Sequence, residues 1–287
     1  MMRILIRKMI DMFIIGNHMP QSINMGSLYT QLSKWLGTEM KAGVQISTAC
    51  ASTNVGATLA AAQIASGVCK KVLVVGLEVT QSSVKGRSQI NRIPMTPENI
   101  RLWTDFAVNQ PYAVQQGFDM LPIYDAFLDL GYSRKYGYFI EEYDRGMMEV
   151  CRTFRLHASL TPKALIQETL ENEAERLGYK DFMEFWKSAY NPFLAWPTRL
   201  RSVITACDGA TAMVLSNHDG AKEYSGTPIE LMGWGISVGD LPWYREDPTI
   251  WPSDVSAFAK AYSMSGISIE DVGYLYCLLS HFCHLFC

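Results

Sequence analysis

Hydrophobic positions concentrate in a few short blocks. Lys71-Val-Leu-Val-Val-Gly-Leu-Glu78 is a continuous apolar run closed by charges at both ends. That is the pattern of a parallel strand buried on both faces. Val44-Gln-Ile-Ser-Thr48 predicts a shorter strand upstream. Between them, Ala51–Ser66 carries alanine at 51, 57, 60, 61, 62 and 65 and predicts a helix. Gly67 ends it by taking the left-handed position. Strand, helix and strand in about 35 residues make a βαβ unit. The small side chains let this helix lie close to other backbone, in the middle of a structure.

The pattern then changes. Residues 98–200 read as mostly helical and connective. Thr161-Pro162 predicts a helix start, with an N-cap and then proline at the first helical position. Gly178 is the expected stop, and Trp196-Pro197 breaks the pattern. A second α/β region follows. Ala210–Ser216 reads as a strand after the Asp208-Gly209 turn, and Ile229–Val238 as another. Ser253 or Asp254 caps a helix running to about Met264, with Gly266 ending it. Ile269–Val272 is expected to start a further strand. The segment Tyr274–Cys287 holds no charge, glycine or proline and departs from everything before it.

Composition sharpens this. Of the 287 residues, 48% are apolar and 18% charged, enough for a sizeable core. Residues 42–80 carry three charges, whereas residues 101–200 carry 25, with 19 of the 33 aromatics. A buried layer is thus followed by a more solvent-facing region. The net charge of −3 offers no basic excess for a phosphate backbone, so no nucleic-acid partner is expected. Seven scattered cysteines are not a disulfide framework and fit a reducing, cytoplasmic setting. Arg3, Arg7, Lys8 and Asp11 interrupt the first apolar stretch, so neither a membrane span nor a secretory leader is expected.

Candidate chemistry centres on Cys50, between a strand and the first turn of the alanine-rich helix. A helix start has unpaired N–H groups and a partial positive charge. Both favour a thiolate, and the same N–H groups can steady an oxyanion when sulfur attacks a carbonyl. The bland alternative is a buried structural cysteine.

Thr48-Ala-Cys-Ala-Ser-Thr-Asn-Val-Gly-Ala57, continuing through Ile64-Ala-Ser-Gly67 to Val72-Leu-Val-Val-Gly-Leu-Glu78, resembles the nucleophile block of the thiolase family. Thr53 stands where glycine is usual. His157-Ala-Ser-Leu-Thr-Pro-Lys-Ala164, Cys207-Asp-Gly-Ala-Thr-Ala-Met-Val-Leu215 and Ile269-Glu-Asp-Val272 resemble later blocks in the family's order. The resemblance covers roughly residues 12–272 and is nearest the archaeal and sterol-carrier-type members. It implies an α/β thiolase-like fold, with two βαβ-rich halves, mixed sheets in layers and a helical loop domain. The corresponding division is 1–97 for the first half, lacking its first strand and helix, 98–201 for the loop domain, 202–273 for the start of an incomplete second half, and 274–287 for an atypical tail.

The implied reaction is Claisen condensation or thiolysis on acyl-CoA or acetyl-CoA, with Cys50 acylated. Thr205, Asp208 and Gly209 would lie near the CoA arm. CoA is the substrate carrier, and no separate cofactor or metal is implied. A homodimer or tetramer is implied, with room for a partner protein. Missing are the family's Asn-Glu-Ala-Phe or His-Asp-Ala-Phe loop, its Gly-His-Pro and its Cys-x-Gly, which supply the acid and base. The chain therefore reads as truncated at both ends, with an out-of-frame or abnormal tail. Two alternatives stay open: a non-catalytic acyl-CoA-binding or partner subunit, and a ketoacyl-synthase-type condensing enzyme.

Other residues carry less. Cys277, His281, Cys283, His284 and Cys287 lack the paired hooks of a zinc site. His157 and Cys207 read as packing residues, and His18 and His218 as surface or turn residues. Gly26, Gly37 and Gly43 do not make a dinucleotide fingerprint.

Overall fold

The computed structural model describes residues 9–18, 28–78, 121–203, 207–224, 226–240 and 245–276. The chain divides into two compact units. One comprises Met1–Ile93, Ala206–Val238 and Ser253–Asp271; the other comprises Pro94–Thr205, Gly239–Pro252 and Val272–Cys287.

The first unit is built on a four-stranded mixed sheet of order β2-β1-β3-β6. Its strands are β1 (Met12–Gly16), β2 (Ala42–Ile46), β3 (Lys71–Glu78) and β6 (Gly209–Ser216). β1 runs parallel to β2 and β3, whereas β6 is antiparallel to β3 along its whole length, from Lys71↔Ser216 to Glu78↔Gly209. Strand alternation sends side chains to two faces. Phe13, Ile15 and Leu73 pack with Leu28, Leu32 and Leu36 of helix α1 (Leu28–Leu36). On the other face Ile14, Val72 and Val74 pack with Leu59, Ala60 and Ile64 of helix α2 (Ser52–Ala65). The result is helix, sheet, helix, which explains why β3 reads as an unbroken apolar run. The expected helix and its stop hold: α2 ends beside Gly67 at φ +78°. Asp11 caps the start of β3, its carboxylate accepting from the N–H of Lys70 at 2.8 Å and of Lys71 at 3.0 Å.

The second unit holds helices α3 (Leu121–Tyr136), α4 (Ile140–Ser159), α5 (Leu170–Arg176) and α6 (Phe182–Trp186), with a short ribbon of β4 (Phe193–Ala195) and β5 (Thr198–Arg199). Phe185, Trp186 and Leu170 are fully buried against Met148 and Cys151. Inside it, Asp144 accepts from Trp186 Nε1 and from Arg199 Nε, both at 2.9 Å. Asp129 accepts from Tyr143 at 2.5 Å and from Thr198 at 2.6 Å.

Three expected elements differ. Thr161-Pro162 follows a helix rather than starting one: the Thr161 N–H donates to Ala158 O and its hydroxyl to His157 O, closing the end of α4. The next helix begins at Leu170, where Thr169 accepts from Asn172 N–H. Ile229–Val238 is not a strand. It lies along helix α8 (Pro252–Ser265), so close that a Cβ on Gly235 would come 2.0 Å from Ala257 O. Pressed on a helix, it forms no ladder with a described strand. Ile269–Asp271 is one turn of 3₁₀ helix instead of a strand start, its Asp271 carboxylate accepting from the Ser268 N–H. Helix α7 (His218–Ala221) follows β6 directly.

Candidate active site

β1 and β2 end in register, and β3 runs two residues further. Gly16 of β1 is in register with Ile46 of β2 and with Gly76 of β3. Two residues on, His18 and Thr48 have left the sheet, while Glu78 is still the last residue of β3. Because β6 runs the other way, its first residue, Gly209, is the one paired with Glu78. Four chain segments thus converge at the C-terminal edge of the parallel strands, where an α/β sheet holds its ligands.

From β2 the chain turns sharply into α2. Ala49 takes φ +51°, a left-handed conformation unusual for a residue with a Cβ. The turn is braced by Ser52, whose hydroxyl accepts from Thr48 N–H at 2.9 Å and donates to Ala49 O at 2.6 Å. Cys50 sits on this turn, two residues ahead of the helix, with its side open to solvent. The first turn of α2 presses on the strand ends. A Cβ on Gly16 would meet the Thr53 backbone at 2.6 Å, and one on Gly76 would meet Thr53 Oγ1 at 2.7 Å. Thr53 is therefore accommodated by two glycines on the neighbouring strands.

The electrostatics run against the expected activation. Protein packed on the inner side of Cys50 pushes its thiol pKa up; its own N–H opposes this, and the Glu78 carboxylate adds to it. The helix start does not make a resting thiolate. Burial lowers the His18 pKa, while Glu78 pulls it back upward. The His18 N–H donates to Glu78 Oε2 at 2.8 Å, and Ser47 donates to His18 O at 3.1 Å. Asn17, 1% exposed, gives its Nδ2 to Leu77 O at 2.6 Å and to Glu78 Oε2 at 3.3 Å. Its Oδ1 is buried without a hydrogen-bond partner.

Of the sequence-predicted residues, Cys50 and Gly209 lie at this edge, with Asp208 adjoining Gly209. Thr205 lies outside the described residues, as do Cys277, His281, Cys283, His284 and Cys287. His157 is in the last turn of α4, in the other unit. His18, Asn17 and Glu78 were not assigned roles from sequence. Their signal was an Asn-His pair directly after a buried strand and an acid ending the next. Among the described residues no group of three or more His, Cys, Asp or Glu is placed to hold a metal, and no helix is long and apolar enough to cross a membrane.

No protein-family model matches the sequence, and no curated protein matches it. Solved structures do. A monomeric SCP2-thiolase-like protein type 1 from Mycobacterium smegmatis aligns with a TM-score of 0.72 at 18% identity, over 98% of this chain and 54% of that one. A structure described as an Ltp2-ChsH2(DUF35) aldolase gives 0.62 at 17% identity, over 92% of this chain and 61% of that one. Human mitochondrial 3-ketoacyl-CoA thiolase in complex with CoA gives 0.65 at 16%, over 97% and 70%. The chain has a thiolase-like fold, and it spans little more than half the length of the first two structures.

Proposed function

We propose that the chain transfers an acyl group from acyl-CoA through Cys50. The observation that carries this reading is the placing of Cys50 in a thiolase-like fold, on a left-handed turn between β2 and α2, at the edge where the strands end. In the first step the sulfur of Cys50 attacks the thioester carbonyl. A new C–S bond forms to Cys50, the bond to the CoA sulfur breaks, and the thiol proton ends on CoA. The likeness to a thiolase solved with CoA supports the substrate class. Claisen condensation or thiolysis is the follow-on reaction we assign. Asp208, Gly209 and Thr205 are proposed to meet the CoA arm, and acyl-CoA needs no further cofactor.

The test is mass spectrometry of the Cys50 peptide after incubation with acetyl-CoA. One added acetyl group is expected on the native chain and none on Cys50→Ala. An acetyl group that persists in Cys50→Ala, or a native chain that takes none, overturns the assignment.

A second reading is favoured by the raised thiol pKa: a thiolase-like subunit that binds acyl-CoA without turnover, or acts with a partner protein. Saturable acetyl-CoA binding with no label on Cys50 distinguishes it.

A further inference from the structure

A cysteine nucleophile that rests as a thiol needs a base within reach. A histidine is carried to the same edge of the sheet. His18 lies two residues beyond Gly16, the last residue of β1, which is in register with Ile46 and Gly76. It is tied to both neighbours: its N–H to Glu78 at the end of β3, and its carbonyl to Ser47 at the end of β2. Ser47 is three residues before Cys50 on the same turn. Glu78 also holds Asn17, which lies one residue from His18 and is buried. The backbone carrying the imidazole is thus fixed from two sides, next to the turn that carries the thiol.

We propose that His18 is the proton acceptor for Cys50, positioned by Glu78 and Asn17. This rests on the acyl-transfer reading above and names a base for it. The proton of the Cys50 thiol moves to the imidazole as sulfur attacks the acyl carbonyl. The imidazolium then returns it to the CoA sulfur as the old C–S bond breaks, so protons and electron pairs balance with no added reactant. Among the described residues, the titratable groups at this edge are Glu78, on the end of β3, Cys50, on the turn into α2, and Cys207 and Asp208, just before β6. Burial keeps His18 in its neutral, accepting form at lower pH than usual, and Glu78 limits that shift. A neutral imidazole that takes the proton of a raised thiol acts as a general base rather than as half of a preformed ion pair.

The experiment measures the alkylation rate of Cys50 by iodoacetamide against pH, read on the Cys50 peptide because Cys207 is also exposed. In the native chain the rate should climb as His18 loses its proton, below the usual histidine range. In His18→Ala that limb should vanish. The rate near neutrality should fall by at least about 10-fold, consistent with loss of a general base, and converge with the native rate at high pH. Added imidazole should restore it. An unchanged profile overturns the proposal. So does a slow variant that imidazole leaves slow, because that marks a purely structural role; His18→Asn, which keeps a polar side chain, must then behave like the native chain in a melting curve.

Acetyl-CoA labelling separates this from the acyl-transfer reading. A His18-dependent profile with no acetyl transfer leaves the pair standing and removes that reading. Acetyl transfer with no His18 dependence does the reverse.

Discussion

Glu78 sits where its charge disfavours the thiolate of Cys50, and this can be measured directly. Glu78→Gln removes a negative charge beside the sulfur, so the pH at which the thiolate absorbance appears should move down. A midpoint that stays or rises contradicts the electrostatic picture. A second residue-scale prediction concerns Asp125 on α3. It is fully buried, neither carboxylate oxygen has a hydrogen-bond partner, and burial together with nearby Asp129 raises its pKa well above the usual carboxylate range. A carboxyl with a raised folded pKa binds more protons folded than unfolded. Its penalty is absent below the unfolded value near 3.9 and grows as pH rises toward the folded one, by up to about 1.4 kcal/mol per pH unit. Asp125→Asn should therefore raise the melting temperature at pH 7–8, with the gain fading toward pH 4. A gain constant with pH would rule out ionisation as its cause. The site itself was half legible in the sequence. Cys50 announced itself through the small-residue helix and its motif. His18 did not, because its meaning comes from strand register: only the alignment of Gly16 with Ile46 and Gly76 brings it to the edge where Cys50 turns.

Helix α2 is held at the strand ends by two glycines with different tolerances. At Gly16 a Cβ would strike the Cα, N and Oγ1 of Thr53, and trimming the side chain would leave the two backbone clashes in place. At Gly76 it would strike the hydroxyls of Thr53 and Thr211, which are side-chain ends. Overpacking costs about 1–3 kcal/mol. Gly76→Ala should lower the urea midpoint accordingly, and Thr53→Ala should recover part of that loss. At Gly16→Ala the recovery from Thr53→Ala should be smaller, because the backbone clashes remain. Equal coupling at both positions in a double-mutant cycle would disprove this geometry. The same contrast explains what the sequence showed of the elements. Lys71–Glu78 was readable to the residue because both faces of β3 are covered by helices, which demands an unbroken apolar run. The 210–216 strand was readable too, but its place as the antiparallel neighbour of β3 was not, since a long connection hides the pairing from local pattern. Thr161-Pro162 misled because the same two residues suit a helix start and the close of a helix end. Gly233 and Gly235 are a clue to the missing strand at 229–238, for they permit the close approach to α8 instead.

At the scale of the first unit, burial is uneven in a way that predicts behaviour in solution. β1 and β3 form a well-covered centre, but β6 is an edge strand exposed along Gly209–Val214. Helix α8 has no buried residue, and Val255, Phe258 and Met264 on it are exposed. Ile229 and Val238 are 98% and 94% exposed. Exposed apolar residues are ordinary when scattered, but here they gather on one edge strand, one helix and the segment that lies along it. An uncovered strand edge also presents unpaired backbone groups to any other strand. The apolar area sets the strength of association, and the open edge gives it a direction. Light scattering over a concentration series should therefore show the chain self-associating. Met213→Lys on the edge strand and Phe258→Glu on α8 should each reduce the apparent mass at a given concentration, since a charge there must be desolvated for the surfaces to meet. Neither lies among the residues of the site, so alkylation of Cys50 should be unchanged in both. A monodisperse monomer at every concentration, or variants that associate as strongly as the native chain, would show that these faces do not drive assembly.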